Sequence, residues 1–347
     1  MNSPKLVYLI NAVDYGGAEI GMVRLLSGLD EDEFDVTVVA LKNANPDVAR
    51  ELPSHITVQS LNLHTKLNPE KFVTLYRNIS ESDVLICSLF PSVFLGTVFG
   101  KVSRVPKIYT WKHNITNDRK VRKVFNSISF KLSDGMFVDS KSAKEILVDW
   151  GIDENQIQIL PLAGIGIDEY PTVNHTRIGG DVRIGTVGRL TETKGYLELL
   201  ECAEALPEYE FHVVGDGPLA DELRNGPSNV VWHGEKSPEE LKQHFWGSFD
   251  VYLQPSRFEG LCITAIEAMA SGLPVVASEV GGLTESVVHG ETGFLVPQGD
   301  IGGYCSRIKE LANDPELRAR FGRAGKQRVE DRYSAEALAN QFCEAIE

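Results

Sequence analysis

The stretch RFEGLCITAIEAMASGLPVVASEVGG, residues 257–282, puts Glu259 in a glycine-containing loop and Glu267 eight positions later in an alanine-rich helical pattern. GLPVVAS, residues 272–278, then turns the chain into a short apolar run. Such a run, apolar at successive positions and rich in β-branched residues, suits a parallel strand buried on both faces. Loop, helix, turn and buried strand in that order are the unit of an α/β fold.

The same alternation continues in both directions. KLVYLINA (5–12), FDVTVVAL (34–41), ITVQSL (56–61), DVLICSL (83–89), KIYTWKH (107–113), GMFVDS (135–140) and IQILPLA (157–163) read as strands of a first half. VRIGTVGRL (182–190), YEFHVVGDGP (209–218), NVVWHGE (229–235), FDVYLQPS (249–256), LPVVASE (273–279) and TGFLVP (292–297) read as strands of a second. Helical patterns such as AEIGMVRLLSGL and SAKEILVDWG lie between them, the latter ending at Gly151. Residues 163–181, AGIGIDEYPTVNHTRIGGD, break the pattern with glycines, a proline and polar residues. The chain therefore divides into a Rossmann-like, doubly wound domain over 1–165, a linker over 166–181 and a second such domain over 182–330. A C-terminal helix over 331–347 is placed to cross back to the first domain.

Composition narrows the function. The 347 residues are 42% hydrophobic and 24% charged, as in a soluble globular protein, and carry a net charge of −15, which disfavours nucleic acid as a partner. Residues 101–144 run against that balance, with eleven Lys and Arg against three Asp, a net +8 that leaves −23 for the rest. Five scattered cysteines without a C-x-x-C pair point to a reducing cytoplasm and away from structural zinc. The start, MNSPKLVYLINAV, carries no secretory pattern, and the apolar stretch 84–100 is interrupted by Pro91, as expected of a strand followed by a helix.

Three glycine-rich junctions follow strands: DYGGAE (14–19), GRLTETKG (188–195) and GDGPLA (215–220). Gly16, Gly17, Gly188, Gly215 and Gly217 would let backbone approach a phosphate, with Arg189 and Lys194 beside the second loop. GDGPLA also fits a dinucleotide fingerprint with Glu235 twenty residues on, but it follows the second strand of its domain rather than the first. Asp30-Glu31-Asp32 lies where the chain must turn and reads as a solvated turn, not a metal site.

Taken together, GGAE, VGRLTETKG, VVGDGP, the 259/267 glutamate pair and GGLTE resemble, in order and spacing, the retaining glycosyltransferases of family four. The resemblance covers nearly the whole chain. It implies the GT-B fold, two facing Rossmann-like domains with the active site in the cleft, and transfer of a sugar from a nucleotide-diphospho-sugar with retention and without metal or other cofactor. A UDP-sugar is favoured over a GDP-sugar, and the acceptor is a glycan or a lipid-linked molecule. By the same resemblance Glu259 binds donor-sugar hydroxyls and Glu267 the ribose, with the diphosphate near Phe258, Gly260, Leu261 and Cys262. Eight residues of helix rise at most ~12 Å, about the reach from sugar to ribose. Arg189 and Lys194 would stabilise the leaving diphosphate, His113 lies beside the reacting sugar, and Glu285 lies near the base or linker. ILPLAGIGIDEY departs from the family's P-N-G-[IV]-D stretch by lacking the asparagine. Two other readings stay open: a non-catalytic sugar-nucleotide-binding regulator, and a GT-B epimerase.

Residues 117–134, NDRKVRKVFNSISFKLSD, form a basic amphipathic pattern in this acidic chain. Arg119, Lys120, Arg122 and Lys123 are candidates for holding an anionic membrane or a lipid-diphosphate acceptor. That would place the protein at the inner face of the membrane; the alternative is a helix with a solvated cationic face.

Overall fold

The computed structural model describes residues 3–63, 69–113 and 120–346, with backbone alone for 120–124. The basic residues Arg119, Lys120, Arg122 and Lys123 thus lie, as side chains, outside the described residues. The chain forms two compact units, one of Met1–Gly164 with Ala335–Glu347 and one of Ile165–Ser334.

In the first unit, seven strands make one parallel sheet: β1 Lys5–Ile10, β2 Asp35–Ala40, β3 Thr57–Ser60, β4 Val84–Ser88, β5 Lys107–Lys112, β6 Gly135–Val138 and β7 Ile157–Ile159, in the order β3-β2-β1-β4-β5-β6-β7. Strand alternation explains why both faces are apolar. Leu6, Tyr8 and Ile10 point into one core with Met22, Leu25 and Leu26 of helix Gly17–Ser27 and Leu338 and Phe342 of helix Ala335–Ile346. Val7 and Leu9 point into the other, with Leu75, Ile79, Val93, Phe130 and Leu147 from the helices on that side.

The second unit repeats the plan with six strands: β8 Arg183–Val187, β9 Glu210–Val214, β10 Val230–Trp232, β11 Val251–Gln254, β12 Val275–Ser278 and β13 Gly293–Val296. Their order is β10-β9-β8-β11-β12-β13, again all parallel. In each sheet the order reverses once, between β1 and β4 and between β8 and β11. Loops leaving the C-terminal ends of strands on either side of such a switch diverge and leave a crevice, which is where open α/β sheets bind ligands.

Two expectations change. The stretch 166–181 is no linker: it belongs to the second unit, where Tyr170 and Val173 are buried, Val173 N–H donates to Ser271 O, and Arg177 pairs with buried Asp250 at 3.0 Å. Its glycines and polar residues conceal this because its few apolar side chains have no period. The C-terminal segment also divides later than 330. Helix Pro315–Tyr333 stays with the second unit, and only the helix from Ala335 packs on Gly17–Ser27.

Candidate active site

At the switch point of the second unit, the loops after β8 and β11 are held together through backbone. Gly195 sits at φ +70, and a Cβ there would collide with the Pro255 carbonyl oxygen. Arg257 N–H donates to Thr193 O at 2.8 Å, closing the same contact one turn further on. These contacts bring Lys194 to Glu259, Nζ to Oε1, at 2.7 Å. Ser256 Oγ donates to the same oxygen at 2.7 Å. The Glu259 carboxylate is buried, with 7% of the side chain exposed against 23% for Lys194. The GGLTE loop supports it from behind: Gly282 N–H donates to Glu259 O, and a side chain at Gly281 would strike that carbonyl.

Helix Ile263–Ala270 starts immediately afterwards. Cys262 precedes it in the left-handed region at φ 59, and no side chain caps the first turn. Leu261 and Cys262 are buried, and Phe258 and Gly260 are half-buried beside them. Four residues into the helix-facing core, Glu267 is buried and accepts from Tyr170 Oη at 2.9 Å. Alanines at 265, 268 and 270 are fully buried, so the helix packs closely on its neighbours.

The charges reinforce one another. Burial by itself lowers the Lys194 pKa, but the adjacent Glu259 carboxylate outweighs it, and the net shift is upward. Burial, then the Glu259 charge, push the Cys262 thiol up to about 12. The buried Tyr196 phenol, which donates to Gly188 O, is raised for the same two reasons. This is a small pocket of fixed charge: one ammonium, one carboxylate, and neutral polar groups around them.

The remaining residues of this half divide. Arg189 is exposed and its side chain makes no bond among the described residues. Gly215 and Gly217 press against the backbone of Gly188 and Leu190, so their lack of a side chain serves loop-to-loop packing. The Glu285 carbonyl accepts from Arg328 and from Tyr333 Oη.

The first unit has its own cluster at the ends of β4, β5 and β6. His113 Nε2 lies 2.8 Å from Ser88 Oγ, and its Nδ1 lies 2.9 Å from Asp139 Oδ2. Trp111 Nε1–H donates to the other Asp139 oxygen at 2.9 Å. A carboxylate only accepts, so Nδ1 carries a proton that it donates to Asp139, and Ser88 Oγ meets the ring at Nε2. Beside it, Gly16 and Gly17 open helix Gly17–Ser27, and the Glu19 carboxylate folds back over Gly16, where a Cβ would clash with it. Burial raises the Glu19 pKa, its own backbone N–H and His113 opposing. Glu19, Ser88, Asp139, Tyr170 and Ser256 were not among the residues singled out in sequence. Glu19 lay inside DYGGAE, Tyr170 at the end of ILPLAGIGIDEY and Ser256 three positions before Glu259, whereas Ser88 and Asp139 lay next to no motif.

Family models match both halves: Glycosyltransferase Family 4 over residues 15–163 and Glycosyl transferases group 1 over residues 173–328. An uncharacterized glycosyltransferase of Methanocaldococcus jannaschii is 33% identical over 248 residues, 69% of this chain and 67% of that protein. The chain belongs to glycosyltransferase family 4. The capsular polysaccharide biosynthesis glycosyltransferase CapM of Staphylococcus aureus is 27% identical over 269 residues, 70% of this chain and 71% of CapM. Among solved structures, Anabaena HepE in complex with UDP and glucose superposes with a TM-score of 0.84 at 18% identity over 99% of both chains. Sucrose-phosphate synthase from Thermosynechococcus elongatus does so at 0.77 and 22%, over 98% of both. The family 4 chain therefore has the GT-B fold and is a glycosyltransferase. Among its described residues no group of three His, Cys, Asp or Glu is arranged to hold a metal ion, and no helix is long and apolar enough to cross a membrane.

Proposed function

We propose that this glycosyltransferase takes a sugar from a nucleotide-diphospho-sugar, a UDP-sugar before a GDP-sugar, and transfers it with retention and without a metal to a glycan or lipid-linked acceptor. The observation that carries this reading is the Lys194–Glu259 pair at the β8/β11 switch point. Glu259 Oε2, which makes no bond among the described residues, faces the donor-sugar hydroxyls. Lys194 has three donor hydrogens and can share them between Glu259 and a diphosphate oxygen. The uncapped first turn of helix Ile263–Ala270 lies against the diphosphate, and Glu267 holds the ribose.

As the bond from the anomeric carbon to phosphate breaks, negative charge grows on the leaving oxygen. A pre-positioned ammonium and helix N–H groups stabilise that charge more than the ground state. The acceptor oxygen bonds to the anomeric carbon on the same face, and its proton passes to the departing phosphate oxygen. No protein nucleophile is needed, and Glu259, with Oε1 doubly bonded, is not assigned as one. Arg189 is an exposed cation able to join the phosphate once donor is bound. His113 and Glu19 of the first unit are assigned to the acceptor.

The acceptor reading draws on the first unit's surface. Helices Pro69–Ser80, Ser92–Ser103 and Lys120–Leu132 pack in a row, and Val73, Tyr76, Val102 and Ile128 on them are exposed. With the basic residues at 119–123 this composition suits an anionic lipid surface at the cytoplasmic side. Charge reversal of Arg119, Lys120, Arg122 and Lys123 to Glu should abolish binding to phosphatidylglycerol vesicles, and unchanged binding removes the membrane from the proposal. The donor test is a thermal-shift panel of UDP, GDP, ADP and NAD in excess EDTA, followed by transfer from the matching labelled sugar. At a hundredfold excess over Kd a ligand adds about 2.7 kcal/mol. A shift with one nucleoside diphosphate supports the proposal, and a shift with NAD alone or with nothing overturns it.

A further inference from the structure

The last strand before the Glu259 loop carries polar side chains where a buried strand has no general need of them. Tyr252, Gln254 and Ser256 alternate along FDVYLQPS, and so fall on one face of β11 and its extension. Val251 and Leu253, at the alternate positions, enter the apolar core. All three polar residues are buried: Tyr252 and Ser256 are fully enclosed and Gln254 is 1% exposed. Such groups cost free energy unless each is bonded, and here the bonds form a line. Tyr252 Oη donates to Gln254 Oε1 at 2.7 Å, Gln254 Nε2 donates to Ser256 Oγ at 2.7 Å, and Ser256 Oγ donates to Glu259 Oε1 at 2.7 Å.

The direction of the line is fixed by its end. A carboxylate can only accept, so the single Ser256 proton goes to Glu259 and the serine oxygen must accept from elsewhere. That orients the Gln254 amide, whose oxygen then accepts from Tyr252. Val187 O at 3.1 Å and Thr264 Oγ1 at 2.9 Å also lie within reach of the phenol, and Gln254 is the shortest of the three. With Lys194 as second donor, Glu259 Oε1 is saturated. A turn of the carboxylate that exchanged its oxygens would break both bonds at once.

We infer that Tyr252, Gln254 and Ser256 are positioning residues, a one-way chain that locks Glu259 Oε1 and presents Oε2 to the donor-sugar hydroxyls. The inference rests on the reading of Glu259 as a sugar ligand. It makes recognition of the sugar, and not of the nucleoside diphosphate, depend on residues that touch neither.

The test is a pair of affinities, measured by calorimetry for UDP-glucose and for UDP. Ser256→Ala removes one of two donors to a charged oxygen, a bond of a size that corresponds to about tenfold or more in affinity. UDP-glucose binding should weaken by that factor while UDP binding stays within about twofold. Gln254→Leu, which leaves Ser256 able to donate, should show a smaller loss of the same kind. Because Ser256→Ala leaves the Gln254 amide buried without an acceptor, Gln254→Leu/Ser256→Ala is the folding control. Removing both partners restores packing, yet the sugar-specific loss should persist. Equal loss of UDP and UDP-glucose, or recovery of UDP-glucose binding in the double variant, overturns the inference. A second arm needs no donor. In the unliganded protein, Glu259→Gln should shift the Gln254 side-chain amide resonances through Ser256, and an unmoved amide refutes the chain. Wild-type protein that binds neither UDP nor UDP-glucose refutes the donor reading itself, while the amide arm still reports on the chain.

Discussion

Lys194→Met tests the centre of the site most directly. The methionine keeps the length of the lysine stem and removes only the ammonium, so the buried Glu259 carboxylate retains a single donor, Ser256. Breaking a buried ion pair from one side costs roughly 3–5 kcal/mol because the remaining charge is stranded. Lys194 is partly open to solvent, at 23%, and water can take up some of that charge. An expected cost of about 2 kcal/mol follows, a fall in Tm of about 4–8 °C for a domain of this size. Calorimetry of wild type, Lys194→Met, Glu259→Gln and the double variant measures it as a cycle. The double variant should be more stable than Lys194→Met, since the stranded charge is gone. The pH dependence has a definite sign. Glu259 holds the Lys194 pKa above the ordinary lysine value, so the pair's stabilisation is complete below that value and is lost as pH rises through the higher folded pKa. The stability gap between wild type and Lys194→Met should therefore close at strongly alkaline pH. A cost under 0.5 kcal/mol (on the order of an ordinary surface change), or a double variant no more stable than Lys194→Met, would refute the idea that this pair is a pre-formed site.

Other expectations follow from neighbouring contacts. Tyr170→Phe deletes the phenol bonded to Glu267 Oε1 at 2.9 Å; it should weaken UDP binding about tenfold, and unchanged affinity in calorimetry would remove Glu267 from the ribose. Gly195→Ala must move the Pro255 carbonyl at a positive φ, so it should cost a few kcal/mol and lower donor affinity as well; a stable variant with normal binding would show that the two loops are independent. Asp139→Asn leaves His113 Nδ1 without its carboxylate, and nitrogen NMR should report a mixed tautomer population with transfer reduced about tenfold or more. Cys262, buried and with its thiol pushed up to about 12, should resist alkylation at pH 8 in the native protein; peptide mapping that finds it labelled would contradict its enclosure.

The thirteen strands among the described residues were legible because parallel strands covered on both faces leave runs such as LVYLI and VLICS that little else produces. Of the helices after β13, only the last, Ala335–Ile346, was read. Helix Pro315–Tyr333 has a strongly polar sequence, PELRARFGRAGKQRVEDRY, and buries Arg318, whose guanidinium donates to the carbonyls of Leu311 and Ala312. An arginine serving main-chain oxygens reads in sequence as a surface residue. The stretch 166–181 failed for a related reason. Its attachment rests on Tyr170, Val173, His175 and Arg177, each meeting a partner at least seventy residues away. Local composition cannot register contacts of that span.

The site divides along the same line. Lys194 and Glu259 could be named because they lie in motifs, the glycine-rich GRLTETKG loop and the spaced glutamate pair, and in the structure glycines hold those loops together: Gly195 against Pro255, and Gly281 against Glu259. A motif of that kind records a backbone requirement, and backbone requirements restrict residue type strongly. The side chains that aim the functional atoms are subject to a weaker local restriction. Ser256 and Gln254 need only reach one another, and Ser88 and Asp139 need only flank a histidine supplied by a third strand. Nothing in their own neighbourhoods distinguishes them from polar residues at a strand end. Yet in both units they consume directional hydrogen bonds: in the second they leave Oε2 of Glu259 available, and in the first they hold the His113 ring between Ser88 and Asp139. The motifs position the loops, and these unmarked partners determine which atom each loop offers, so substrate discrimination among related chains should follow changes at positions such as 254 and 256 while the glycines and the glutamates stay the same.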